Sequence, residues 1–232
     1  MLKGEEEKTK KGLKVVACHL GTGGSSAAGI VGGKSVSTTM GWSPLAGLVM
    51  STRTGDLDPA IALSLVGSDD GKGGKRTAEQ VLKMFNSQSG LVGLTNGVTS
   101  DLRDVWKIAH NDQEPDGEEK KQLCKLAWGV YVERLLGALG QMIAACDGLD
   151  VLLFTDDHGF DMWQLREAVC SRLGKWLGIE LDVELNKVTS KGKGALAKSN
   201  IAVLSTKNSK VMVVAIVNDE EKVIAQESSQ FF

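Results

Sequence analysis

The chain has 232 residues, 42% of them hydrophobic and 24% charged, with a formal net charge of -2. Those values describe an ordinary globular chain, long enough for one large domain or two small ones. They supply no basic surface for nucleic acid or an anionic membrane, and no apolar run is long enough to span a bilayer.

Met1 to Lys14 is charged and lacks the apolar core of a secretory signal; Glu5 to Lys11 reads as a solvated tail, with the tail ending at residue 12. Leu13 to Leu20 is a short apolar strand. It runs into Gly21-Thr22-Gly23-Gly24-Ser25-Ser26, a small, hydroxyl-rich turn of the kind that gathers backbone N–H groups into an anion cradle. Gly29 to Gly33 reads as a turn and Ser35 to Thr39 alternates, so the three pieces predict an antiparallel β-meander. Pro44 to Met50 and Pro59 to Val66 each open with a proline suited to a first helical turn. Ser68 to Lys75 is a Gly- and Asp-rich loop, and Thr77 to Asn86 is an amphipathic helix with Val81, Leu82 and Phe85 at helical spacing.

Ser100 is a candidate N-cap for the helix that follows, and Asn111 to Gly117, with Pro115, is a loop. Glu118 to Cys146 is the longest periodic segment, a helix with a wide apolar face that offers itself for self-association. Asp150 to Thr155 is a buried strand, Met162 to Leu177 a helix, Val211 to Val217 a strand and Glu220 to Glu227 a terminal helix. Cys18, Cys124, Cys146 and Cys170 are scattered with no CxxC pair, which suggests reduced, buried thiols and a cytoplasmic setting.

Several blocks together resemble the acetate kinase family, over most of the length from Leu13 to Gln226: Val15 to Ser26, Lys34 to Leu45, Met50 to Pro59, Ser100 to Arg103, Phe154 to Asp161 and Asn218 to Glu221. The resemblance implies an α/β, ribonuclease-H-like domain with a mixed sheet and flanking helices, as in actin and hexokinase. It corresponds to the family's C-terminal domain, residues 13–232, with the family's first domain expected to be absent. It implies phosphoryl transfer between ATP and acetate or a similar short-chain carboxylate, with Mg²⁺ as cofactor and a homodimer or a partner supplying the first domain.

Residue by residue, the resemblance puts the nucleotide phosphates against His19, Leu20, Gly21, Thr22, Gly23 and Gly24. Thr22 stands near an Asn of the family, and one extra small residue before Lys34 is expected to displace Thr22 to Gly24. Arg53 corresponds to an arginine beside the migrating phosphoryl group, where a guanidinium fork offsets charge on oxygens; read alone, it is a surface arginine paired with Asp56 or Asp58. Pro44 corresponds to part of a pocket for the acetate methyl, or is only a helix-start proline. Asp101, Leu102 and Arg103 correspond to a nucleoside contact, although Asp101 also suits a helix start. Glu220, then Glu221, would hold Mg²⁺, usually through water; the bland alternative is an acidic first helical turn.

One departure stands out. Where the family has Gly-Gly-Ile-Gly after Phe-Thr, this chain has Asp156-Asp157-His158-Gly159. The resemblance assigns Asp157, His158 and Gly159 to the nucleotide, yet two carboxylates facing an anionic ligand would oppose it by bulk and repulsion. A non-catalytic pseudokinase fragment or dimerisation module of the same fold therefore stands as the alternative to an enzyme that is incomplete as an isolated chain.

Overall fold

A computed structural model describes residues 12–111, 117–190, 193–194 and 199–231. The charged run ahead of Gly12 and most of the loop around Pro115 lie outside them. In chain order the elements are β1 (Lys14–Gly21), β2 (Gly24–Val31), β3 (Lys34–Thr38), α1 (Pro59–Leu65), α2 (Ala78–Ser87), α3 (Gly90–Leu94), α4 (Leu102–Ala109) and α5 (Glu118–Ala145). They continue as β4 (Val151–Thr155), α6 (Asp156–Asp161), α7 (Trp163–Leu177), α8 (Val183–Val188), β5 (Ile201–Val203), β6 (Met212–Ile216) and α9 (Glu220–Ser228).

The strands form one mixed sheet in the order β3-β2-β1-β4-β6-β5. The expected meander is present: β1 pairs antiparallel with β2, and β2 with β3. β4 adds to β1 in parallel, from Val15↔Val151 to His19↔Thr155, and β6 adds to β4 in parallel, so three neighbouring strands end at the same edge. β5 closes the sheet antiparallel to β6.

α5 covers β1, β2 and β3 and carries α4 and α7 against its flanks. Its buried residues Cys124, Ala127, Tyr131, Leu135, Leu139 and Met142 recur every three or four positions, which keeps one stripe on the sheet. That stripe meets Val16, Cys18, Leu20, Leu152 and Phe154 in a single core. The buried stripe of α5 is thus spent inside the molecule, while Leu126 on the same helix is 56% exposed. All four cysteines are buried and free.

Several expectations need correction. The turn after β1 is only Thr22-Gly23: Ser25 and Ser26 already lie in β2, and the register runs without a shift from Lys14↔Val31 to Gly21↔Gly24. The one irregularity among the pairings β1–β2 and β2–β3 falls between Gly29 and Ile30. Pro44 to Met50 is not helical. Gly47 sits at φ +96° and exchanges two hydrogen bonds with Asp56, its N–H donating to the Asp56 carboxylate (2.8 Å) and its carbonyl accepting from the Asp56 N–H (2.9 Å). The segment is pinned as a bend by a residue well beyond it, and the left-handed backbone is one that glycine tolerates. The cap of α4 is Asp101, one residue after Ser100, with its carboxylate accepting from the Arg103 N–H at 2.8 Å. Of Phe154 to Asp161, the first two residues end β4 and the other six form α6: β4 passes straight into α6 through Asp156 at φ +66°.

Candidate functional site

The shared edge of β1, β4 and β6 gathers what the sequence had scattered. His19 to Gly21 end β1, Asp156 to Gly159 follow β4, and Asn218 to Glu220 follow β6. In open α/β sheets the carboxyl ends of neighbouring parallel strands are where crevices form. The bend around Met50 to Arg53 and the start of α4 close in from the other side.

Thr22 is the hub. Its N–H donates to Asp157 Oδ1 at 2.8 Å and its hydroxyl donates to Asp157 Oδ2. The same hydroxyl accepts from Arg103 Nη2 at 3.4 Å and lies 3.4 Å from His158 Nε2. Its carbonyl accepts from the Ser51 hydroxyl at 2.8 Å, which ties the bend to the hairpin. Arg103 grips Asp101 with two parallel bonds, Nε to Oδ1 at 2.9 Å and Nη2 to Oδ2 at 2.5 Å, and reaches Asp157 Oδ2 at 3.7 Å. The Arg103 fork, with the Arg103 N–H, holds the Asp101 carboxyl down at about 2. Asp157 is also held below the usual carboxylate range: burial opposes the charge, but the Thr22 hydroxyl and N–H, together with His158 and its N–H, outweigh it.

His158 is 1% exposed. Burial pushes its imidazole below the usual histidine range, against the pull of Asp157 and Asp101. Nε2 faces acceptors, Asp101 Oδ1 at 3.6 Å among them, so the neutral ring carries its proton there. Nδ1 and the Thr155 hydroxyl are buried without a partner among the described residues.

His19 stands between two carboxylates, Nε2 at 3.0 Å from Asp156 Oδ2 and Nδ1 at 3.6 Å from Glu220 Oε1. Glu220 is steadied by the Asn218 side-chain amide at 2.8 Å. Gly21 allows this packing, since a Cβ there would stand 2.6 Å from Asp156 Cγ. Asp156 and Glu220 bring two carboxylates to this edge, on either side of His19; no group of three or more metal-binding side chains gathers among the described residues, but Mg²⁺ needs only one or two carboxylates when phosphates and water complete its shell. Glu221 makes no such approach; it is an exposed residue of the first turn of α9.

Arg53 lies beside the bend. Its Nη1 would be 3.2 Å from a Cβ at Gly24, and it touches only neutral atoms, the Pro44 carbonyl and Met50 Sδ, both at 3.5 Å. The carboxylates proposed as its surface partners are occupied, Asp56 by the Gly47 N–H and Asp58 by the Ala60 N–H. Among the described residues the guanidinium has no ion pair, which leaves its charge available to an anion. Pro44 is exposed and outside any helix, brought in only through that carbonyl. Leu20 and Leu102 are 0% exposed, so their side chains are core supports rather than ligand contacts.

Sequence reasoning missed Arg166. Its guanidinium is fully buried yet donates five bonds: to the Gly159 and Phe160 carbonyls (2.9 and 2.7 Å), to Asn186 Oδ1 and carbonyl (2.6 and 3.0 Å), and to the Thr189 carbonyl (2.9 Å). It clamps the end of α6, the helix that presents Asp157 and His158. Burial pulls it down to about 10. A signal was available: Leu165, Arg166, Val169, Cys170 and Leu173 share one helical face, so the arginine falls on an apolar stripe.

The sheet order and the crevice at the common edge of β1, β4 and β6 define a ribonuclease-H-like domain. The sequence profile of the Acetokinase family matches residues 3–226, and the chain belongs to that family. Acetate kinase 1 of Lactococcus lactis is 39% identical over 92% of this chain and 48% of its own length, and the acetate kinase of Thermosipho africanus is 36% identical over 94% and 48%. The crystal structure of acetate kinase from Entamoeba histolytica superposes with a TM-score of 0.82 at 41% identity, covering 95% of this chain and 52% of that one. A propionate kinase from Francisella tularensis gives 0.74 at 30% identity, over 96% and 51%. The chain spans about half the length of the curated relatives it matches.

Proposed function

We propose that this chain carries the nucleotide-side half of a carboxylate kinase site, transferring a phosphoryl group between ATP and acetate or a similar short-chain acid. The observation that carries the reading is the lone Arg53 guanidinium beside the Thr22-Gly23 hairpin. Phosphoryl transfer spreads charge over oxygens and is catalysed chiefly by positioning and charge stabilisation. A cation with no ion pair among the described residues, beside the hairpin turn, offers charge stabilisation at the phosphate end. Arg103 and Asp101 border the nucleoside side, and Pro44 the acyl side. Asp156 and Glu220 would hold Mg²⁺, which neutralises phosphate charge when bound. The rest of the length seen in the relatives, whether in one polypeptide or two, would complete the acceptor side. Residues on a single face leave the reacting group open to water, and a closed cleft is what excludes it.

The test is a hydroxamate assay for acyl phosphate with Mg-ATP and acetate or propionate, run with this chain alone and with a co-expressed N-terminal half of a relative. Acyl phosphate is expected in the combined sample, lost on Arg53→Ala. No acyl phosphate in either sample rejects catalysis. The second reading, a non-catalytic module of the same fold, draws on one observation: an internal carboxylate, Asp157, already occupies the Thr22 donors.

A further inference from the structure

Resting on that reading of the site, we infer that Asp157 is its specificity-determining residue: the carboxylate is an internal stand-in for a phosphate, and a polyphosphate gains the hairpin turn only by displacing it. The argument is one of donors. An anion at this turn would be met by the Thr22 N–H, the Thr22 hydroxyl and the Arg103 fork. Asp157 takes both Thr22 donors, the N–H at 2.8 Å and the hydroxyl, and lies 3.7 Å from Arg103 Nη2, whose fork is bonded to Asp101. Its Oδ1 takes a further bond from the His158 N–H at 2.9 Å. A carboxylate so placed satisfies the Thr22 donors that would otherwise bind a ligand, and hydrogen bonds to an ionised acceptor are strong.

The carboxylate does not swing freely into this place. It stands in the first turn of α6, and the far end of that helix is fastened by the Arg166 bonds to the Gly159 and Phe160 carbonyls. The other side of the crevice differs. Arg53 beside Gly24 engages only neutral atoms. One half of the anion site is thus filled from within and the other is open. A ligand reaching Arg53 alone meets no internal competitor. A chain of phosphates spanning both halves must break the Thr22–Asp157 pair and bring its charge against the displaced carboxylate.

The experiment is calorimetric titration of the full chain with Mg²⁺-tripolyphosphate and with Mg-ATP, for the wild type, Asp157→Gly, Asp157→Asn and Arg53→Ala, and for Arg53→Ala combined with Asp157→Gly. Circular dichroism checks the fold of each variant, and the near-isosteric Asn keeps the test alive if Gly unfolds α6. The expected result is at least tenfold tighter tripolyphosphate binding for Asp157→Gly, a smaller gain for Asp157→Asn, and loss of the gain when Arg53 is also removed. Equal affinities in the wild type and both Asp157 variants, with Arg53→Ala still weakening binding, overturn the inference and leave the proposed function standing. A gain seen with ATP but not with tripolyphosphate also overturns it, because Asp157 would then obstruct the nucleoside. If no protein binds either ligand, Asp157→Gly included, both the inference and the proposed function fall.

Discussion

Arg166 and Asp101 hold their charges by opposite means, and each yields a prediction. Arg166 has no carboxylate in its bonds, only carbonyl and amide oxygens. Arg166→Leu would remove five donated bonds from a buried network, so we predict a loss of about 3–5 kcal/mol, the range for breaking a buried charged network, measured by urea unfolding. For Asp101 the folded carboxyl titrates at about 2, below its ordinary value of 3.8. A depressed acid stabilises above the unfolded value and loses that contribution as pH falls through the folded one. Stability should therefore drop between about pH 4 and 2, and Asp101→Asn, which keeps the cap acceptor but not the charge, should flatten that limb. His158 acts earlier in an acid titration. Its ring is held neutral by burial, the unfolded chain takes up the proton more readily, and so stability declines as pH falls below about 6.5. Thermal melts of His158→Gln should lack this step. At this scale the motif residues were legible because their types and order carry chemistry. Their partners were not. Nothing in Asp156-Asp157 says that the carboxylates turn inward, onto His19 and Thr22, rather than outward toward a ligand.

Elements follow the same division between local and distant causes. α5 and α2 were readable because their periodicity and caps lie within the segment. Thr77 and Gln80 form a reciprocal capping box, each side chain bonding the other's backbone. Thr77→Ala should cost about 1 kcal/mol in chemical denaturation. Leu139, in the α5 stripe and 0% exposed, should cost about 2–5 kcal/mol as Leu139→Ala. The expected helix over Pro44 to Met50 fails for a reason no local window contains, since Asp56 captures both backbone groups of Gly47. α3, α8 and β5 went unread: at 5, 6 and 3 residues they are too short for a period to show.

For the whole molecule, the parallel placement of β1, β4 and β6 matters most, because it brings three distant loops to one edge. The order of elements implied the fold through the family resemblance, but the crevice depends on register, which composition does not encode. The periphery is energetically lighter. No residue of α9 is buried, while Val223 and Ile224 are 56% and 64% exposed. Ending the chain at Val217 should shift the melting temperature by less than about 4 °C, the change ~1 kcal/mol makes in a chain of this size, while deleting Glu220 from the site. The Arg166 clamp has a wider reach. It joins α6 to Asn186 in α8 and to Thr189 just past its C-terminal end, so the grip of Asp157 on the hairpin is set in part by residues that no ligand touches. Asn186→Ala, by slackening that tether, should tighten tripolyphosphate binding without altering a single atom of the crevice: the molecule has a remote handle on its own affinity.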